Sequence, residues 1–179
     1  MVMSGERGAV EATTVESVDF ALAAYREEGR WQVDPLPPSV GADLHSLIAV
    51  LRQRPGDGGA LGLVSVDEDF FLLLRVLGAG DRLLLSDVTA ATEWPLARAA
   101  LDHLHLPLPE GDDVDHVQPA GDLVIIADLG MDAMEMGALC DDLDSYPDEL
   151  LGDVAERLGF GDGYRAALAT FGGRSTGLP

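Results

Sequence analysis

Two histidines, one cysteine and a dense run of carboxylates are the groups in this 179-residue chain that could do chemistry. His103 and His105 form an H-x-H pair that invites a metal. They fall at the end of a helical pattern, where residues i and i+2 point to different sides. Positive charge near a helix C-terminus is favourable, which accounts for both without a metal. Cys140 is the sole cysteine, so neither an intrachain disulfide nor a cysteine-rich zinc site can form. It sits on an apolar stripe with Met136, Leu139 and Leu143, the place of an inert core thiol. No metal or other cofactor is expected.

The run Asp141-Asp142-Leu143-Asp144-Ser145-Tyr146-Pro147-Asp148-Glu149 invites calcium. Counted from Asp142, position 6 of an EF-hand loop is Pro147, where glycine is required. Position 12 is Asp153 rather than the bidentate glutamate. Helix capping explains the run better, because anions favour a helix N-terminus. A Walker loop needs a lysine, and the chain has none. There is no G-x-S-x-G elbow for a nucleophilic serine. In so acidic a chain nothing singles out one carboxylate pair for acid–base work, so no catalytic residue is nominated.

Between Pro107 and Asp162 stand sixteen Asp or Glu and a single cation, Arg157, which is −15 of the net charge of −21. Such a surface repels phosphate backbones and anionic membranes, so neither nucleic acid nor a membrane is expected as a direct partner. It is no disordered tail, because apolar residues recur through it at helical spacing. No apolar run approaches the length of about 18 residues that a membrane span needs, and residues 1–16 offer no signal-peptide core. A cytoplasmic location is the default.

The elements that must position these groups are legible in outline. Val18 to Tyr25 alternates, Glu27-Glu28-Gly29-Arg30 turns, and Trp31 to Asp34 alternates again, a hairpin. Leu44, Leu47, Ile48 and Leu51 mark one face of a helix from Gly41 to Gln53. Strands are expected at Ala60–Val66, Phe70–Leu77 and Arg82–Ser86, with links too short for crossovers, so the pairing is antiparallel. The run Phe70-Phe71-Leu72-Leu73-Leu74 is apolar on both faces and must be covered on both, by the chain's own helices or by a second subunit. A helix follows, with Thr92 as N-cap and Pro95 in its first turn. Leu123 to Ala127 fits strand or helix equally. Asp132 with Glu135, and Ser145 with Asp148, read as capping boxes of two further helices, the second closed by Gly159. Tyr164, Leu168 and Phe171 suggest one more.

The expected fold is α+β: a five-stranded antiparallel sheet in the order β-β-α-β-β-β-α, with a helical, acidic C-terminal region. This order matches longin and roadblock-type domains, which are platforms for protein partners; the match is one of fold only. A flexible leader is expected over 1–17 and a loose tail over 172–179. One domain spans 18–171, divided into sheet and two helices (18–106) and an acidic helical annex (107–171).

Five separated stretches carry a resemblance: Gly59-Ala-Leu-Gly-Leu-Val-Ser-Val-Asp-Glu-Asp-Phe-Phe71, Leu84 to Trp94, Gln118 to Asp122, Tyr146-Pro147-Asp148-Glu149, and Arg157 to Gly161. In this order they resemble the actinobacterial family of tRNA adenosine deaminase-associated proteins. Together they run from about Val18 to Ala169. The resemblance implies association with the tRNA-specific adenosine deaminase and carries no catalytic residue with it. The chain is not itself that enzyme. Zinc deaminases carry H-x-E and P-C-x-x-C, whereas here one cysteine stands alone and no histidine is followed two residues on by glutamate. The expectation is a non-catalytic accessory protein that meets the deaminase through protein–protein contact. Partner-binding candidates are Trp94 with Glu93 at a helix entry, and Asp141, Asp142, Asp144, Asp148 and Glu149 in the annex. For Trp94 a staple between helix and sheet is the favoured reading over a partner contact. The alternatives are a homodimeric structural module, and a small-ligand or enzymatic role at an acidic cleft.

Overall fold

The computed structural model describes residues 17–54, 56, 58–78 and 80–175. Residues 1–16 of the expected leader and 176–179 of the expected tail lie outside them. Six strands form one antiparallel sheet: β1 (Val18–Glu27), β2 (Arg30–Pro35), β3 (Ala60–Val66), β4 (Phe70–Leu77), β5 (Gly80–Leu85) and β6 (Ala120–Gly121). The spatial order is β2-β1-β3-β4-β5-β6. The sixth strand corrects the expected five. It pairs Ala120 with Leu85 and Gly121 with Leu84, and two residues are too few for any alternation to show in the sequence.

Among the described residues six helices cover the sheet: α1 (Pro38–Gly41), α2 (Leu44–Arg52), α3 (Pro95–His103), α4 (Ala133–Cys140), α5 (Pro147–Leu158) and α6 (Gly161–Ser175). The helix expected from Gly41 to Gln53 is α2, which starts at Leu44 because Asp43 caps it by accepting from the Ser46 N–H at 3.0 Å; the short α1 ahead of it was not expected. The expected caps Thr92 and Ser145 are both displaced. A residue before proline is held extended, so Trp94 and Tyr146, each followed by proline, become the N-cap positions of α3 and α5. Thr92 instead ends a short 3-10 segment, Val88–Thr92, capped by Asp87. The Ser145 hydroxyl donates to Asp142. The Asp132–Glu135 capping box forms as read, and Gly159 ends α5 at a φ of 104°. Leu123 to Ala127 is neither strand nor regular helix: a turn leads into a 3-10 segment at Ala127–Leu129. Helix α6 runs on through Ser175, past the expected start of the tail.

Alternation along the strands sorts the core into two layers. Val64, Val66, Phe70, Leu72, Leu74 and Leu85 pack under α2 and α3. Phe20, Leu22, Leu61, Leu63, Phe71, Leu73 and Leu84 pack under the annex, against Ile125, Ile126, Met136, Leu151 and Val154. Both covers of β4 therefore come from the chain's own helices. Aromatic contacts fix the annex to the β1–β2 hairpin. The Trp31 ring lies 4.7 Å from Phe160 and its indole N–H donates to the Leu158 carbonyl, while Tyr164 meets Phe20 edge-on at 6.0 Å.

One cation is sealed between sheet and annex. Arg75 follows Phe71 and Leu73 on the annex side of β4 and is 1% exposed. Its Nε and Nη2 donate to the Gly58 carbonyl, Nη1 donates to the Ile125 carbonyl, and Nη1 and Nη2 grip the two oxygens of Asp128 at 2.6 and 3.0 Å. All five guanidinium N–H groups are thereby satisfied. The bond from Arg75 holds the Asp128 carboxyl below its ordinary value of 3.8.

Two outcomes follow from this packing. A Cβ on Gly41 would stand 2.6 Å from the Ala21 Cβ on the interior strand β1, where backbone cannot give way. Gly41→Ala should cost about 1–3 kcal/mol in urea unfolding. Asp128→Asn leaves Arg75 without its counter-charge and should cost about 1–2 kcal/mol at neutral pH, less than for a fully buried pair because Asp128 is itself 63% exposed. A depressed carboxylate contributes stability above its unfolded pKa and loses it as pH falls through the folded one. The gap between wild type and Asp128→Asn should therefore close below about pH 3.8 in unfolding measured against pH.

Candidate functional site

The β3–β4 turn and the α4–α5 loop meet at one end of the sheet and enclose a cleft of about 490 Å³. Its inner wall is apolar: Phe70, Phe71, Cys140, Pro147 and Leu150, all buried. Its rim carries Glu68, Asp69, Asp87, Asp142 and Asp144. None of these five carboxylates is ion-paired with a cation among the described residues. The annex arginines are committed elsewhere, Arg157 to Glu135 and Arg165 to Glu156 and Asp162. Leu143 and Tyr146, 68% and 57% exposed, stand at the same mouth beside Val117.

Local chemistry explains each side. Asp142 accepts from the Asp144 N–H and the Ser145 hydroxyl, a turn that forces Leu143 outward. Glu149 accepts from the Tyr146 N–H and so fixes the start of α5. Across the cleft, Asp67 and Glu68 both hold positive φ, 49° and 52°, a conformation that non-glycine residues enter at a cost of about 1–2 kcal/mol each. Asp19 braces that turn: its carboxylate accepts from the Glu68 N–H at 2.7 Å and from the Ser65 hydroxyl at 2.9 Å. Desolvation, with repulsion from Asp67 and Asp148, nonetheless raises the Asp19 pKa above 3.8.

The candidate residues divide. Asp142 and Asp144 line the cleft. Trp94 reaches its edge through a bond from its indole N–H to Asp69 at 2.7 Å, and packs on the core beneath α3 as a helix–sheet staple. Glu93 is exposed at the junction before α3, and Asp141 is exposed at the C-terminal cap of α4. Asp148 is exposed in the first turn of α5, and its carbonyl accepts from the Tyr164 hydroxyl. Glu68, Asp69 and Asp87 line the cleft without being candidates from sequence, where Asp67-Glu68-Asp69 reads as a link between strands and Asp87 as a turn or cap residue.

The other candidate chemistry resolves into structure. His103 Nε2 lies 2.7 Å from Asp81 on β5, whereas His105 is exposed with a φ of 60°. Cys140 is buried, which pushes its thiol up to about 12 and keeps it protonated at neutral pH. Among the described residues no group of three or more His, Cys, Asp or Glu could hold a metal ion, and no helix is long and apolar enough to cross a membrane.

Asp19 gives this site a measurable pH signature. A raised carboxylate pKa means that ionisation weakens the fold, so wild-type stability rises as pH falls through the folded value toward 3.8. Asp19→Asn keeps an acceptor for both bonds and carries no charge. It should unfold at higher urea than wild type at pH 7, and the difference should vanish on acidification below the ordinary carboxylate range.

Comparison with known proteins places the chain. The model of the Rv3753c-like tRNA adenosine deaminase-associated protein family matches residues 19–161. Protein Rv3753c of Mycobacterium tuberculosis (strain ATCC 25618 / H37Rv) is 34% identical over 173 residues, which is 95% of this chain and 99% of that protein. No solved structure matches. The match crosses sheet and annex alike, and the chain belongs to the Rv3753c-like tRNA adenosine deaminase-associated protein family.

Proposed function

We propose that this protein is a non-catalytic accessory of the tRNA-specific adenosine deaminase, acting in the cytoplasm through protein–protein contact rather than through RNA. The observation that carries this reading is the cleft, where five carboxylates with no cation partner among the described residues surround exposed Leu143 and Tyr146. Carboxylates alone would stay solvated. Large apolar side chains held open among them are the composition of a surface that meets another protein. The same charge disfavours tRNA, whose phosphates need clustered cations. The family's name supplies the partner to try first. Opposite charge would speed the encounter and make it sensitive to salt.

The test is co-purification and calorimetry with the deaminase encoded in the same genome. A complex is expected at about 50 mM salt, weakening by about tenfold or more at a few hundred millimolar as charges are screened. Gel shift with tRNA alone should show no binding. Affinity that rises with salt, or no complex at low salt, overturns the reading.

A further inference from the structure

We propose that the cleft between the β3–β4 turn and the α4–α5 loop is a receptor for an extended, arginine-bearing segment with an apolar anchor, supplied by a partner protein. The inference deepens the accessory reading and rests on it only for the partner's identity. Three features choose the occupant. The rim offers carboxylates from two opposed loops, Glu68 and Asp69 on one side and Asp142 and Asp144 on the other, so a cation between them is approached from both sides. Within the chain those charges find no arginine or histidine among the described residues. Exposed Tyr146 adds an aromatic face, and guanidinium both stacks on aromatic rings and forks onto carboxylates, which a lysine ammonium does less well. Leu143 gives the apolar anchor its contact.

Charge also argues against the obvious rival. A second copy of this chain brings a net charge of −21 to an acidic rim. The cleft volume of about 490 Å³ suits a few side chains rather than a folded domain, which points to a segment.

The experiment is fluorescence anisotropy with the full chain and three labelled peptides: alternating arginine and leucine, its lysine analogue, and its arginine–serine analogue. The arginine–leucine peptide is expected to bind tightest, each analogue weaker by about threefold or more. Leu143→Ser, and Glu68→Gln combined with Asp144→Asn, should each weaken it about tenfold, because these exposed side chains carry the contact and not the fold. Glu27→Gln combined with Glu28→Gln makes the same charge change at the far end of β1 and should leave binding unchanged. Equal loss in that control, equal binding of the lysine peptide, or peptide-independent dimerisation through the cleft overturns the proposal. Peptide binding without capture of the deaminase keeps the cleft and removes the accessory reading. Capture of the deaminase that ignores the cleft variants does the reverse.

Discussion

Arg75 is a full positive charge placed where water cannot reach it, and the ways of satisfying it fix how the two halves of the molecule meet. A buried cation is tolerable only if its donors are taken and a counter-charge lies close. The Gly58 carbonyl ahead of β3, the Ile125 carbonyl and Asp128 of the annex supply those partners. The annex is therefore docked in register by directed bonds as well as pressed onto the sheet by its apolar stripe. Hydrophobic contact between Leu73, Ile126 and Val154 would permit sliding; the three directed hydrogen bonds from Arg75 to Ile125 and Asp128 do not.

The acidity of the annex follows from the same docking. Its apolar side is consumed by the second face of the sheet, so the carboxylates are left on the outside. Two annex arginines neutralise the flank near α5 and α6. Among the described residues no comparable cation serves the end where the α4–α5 loop faces the β3–β4 turn, and carboxylates without a cation partner gather there. The strained φ values of Asp67 and Glu68 and the raised carboxyl of Asp19 lie at that same end.

The strands were legible because period-2 alternation and short turns are local signals, and the doubly apolar run at Phe70–Leu74 announced that both faces would be covered. The two displaced caps share one cause. Thr92 and Ser145 were given cap positions by residue type, but the proline two or three residues later fixes where a helix can begin, and it moved the cap to Trp94 and Tyr146. β6 was invisible because two residues carry no period. Of the candidate site, Asp142 and Asp144 could be found from their own loop. Glu68, Asp69 and Asp87 could not be joined to them, since they lie more than fifty residues away along the chain.

The sequence by itself determined the α+β class, the antiparallel pairing, the acidic annex, the absence of the zinc deaminase signature and the resemblance to the family. Each of these rests on residue type, local spacing or a linear motif. The tertiary structure decided what covers the second face of the sheet, that Arg75 is buried rather than solvated, and that two distant acidic loops share one cleft. Those are long-range pairings, and nothing in a linear pattern of charge or hydrophobicity states which far-off segment will fold against it.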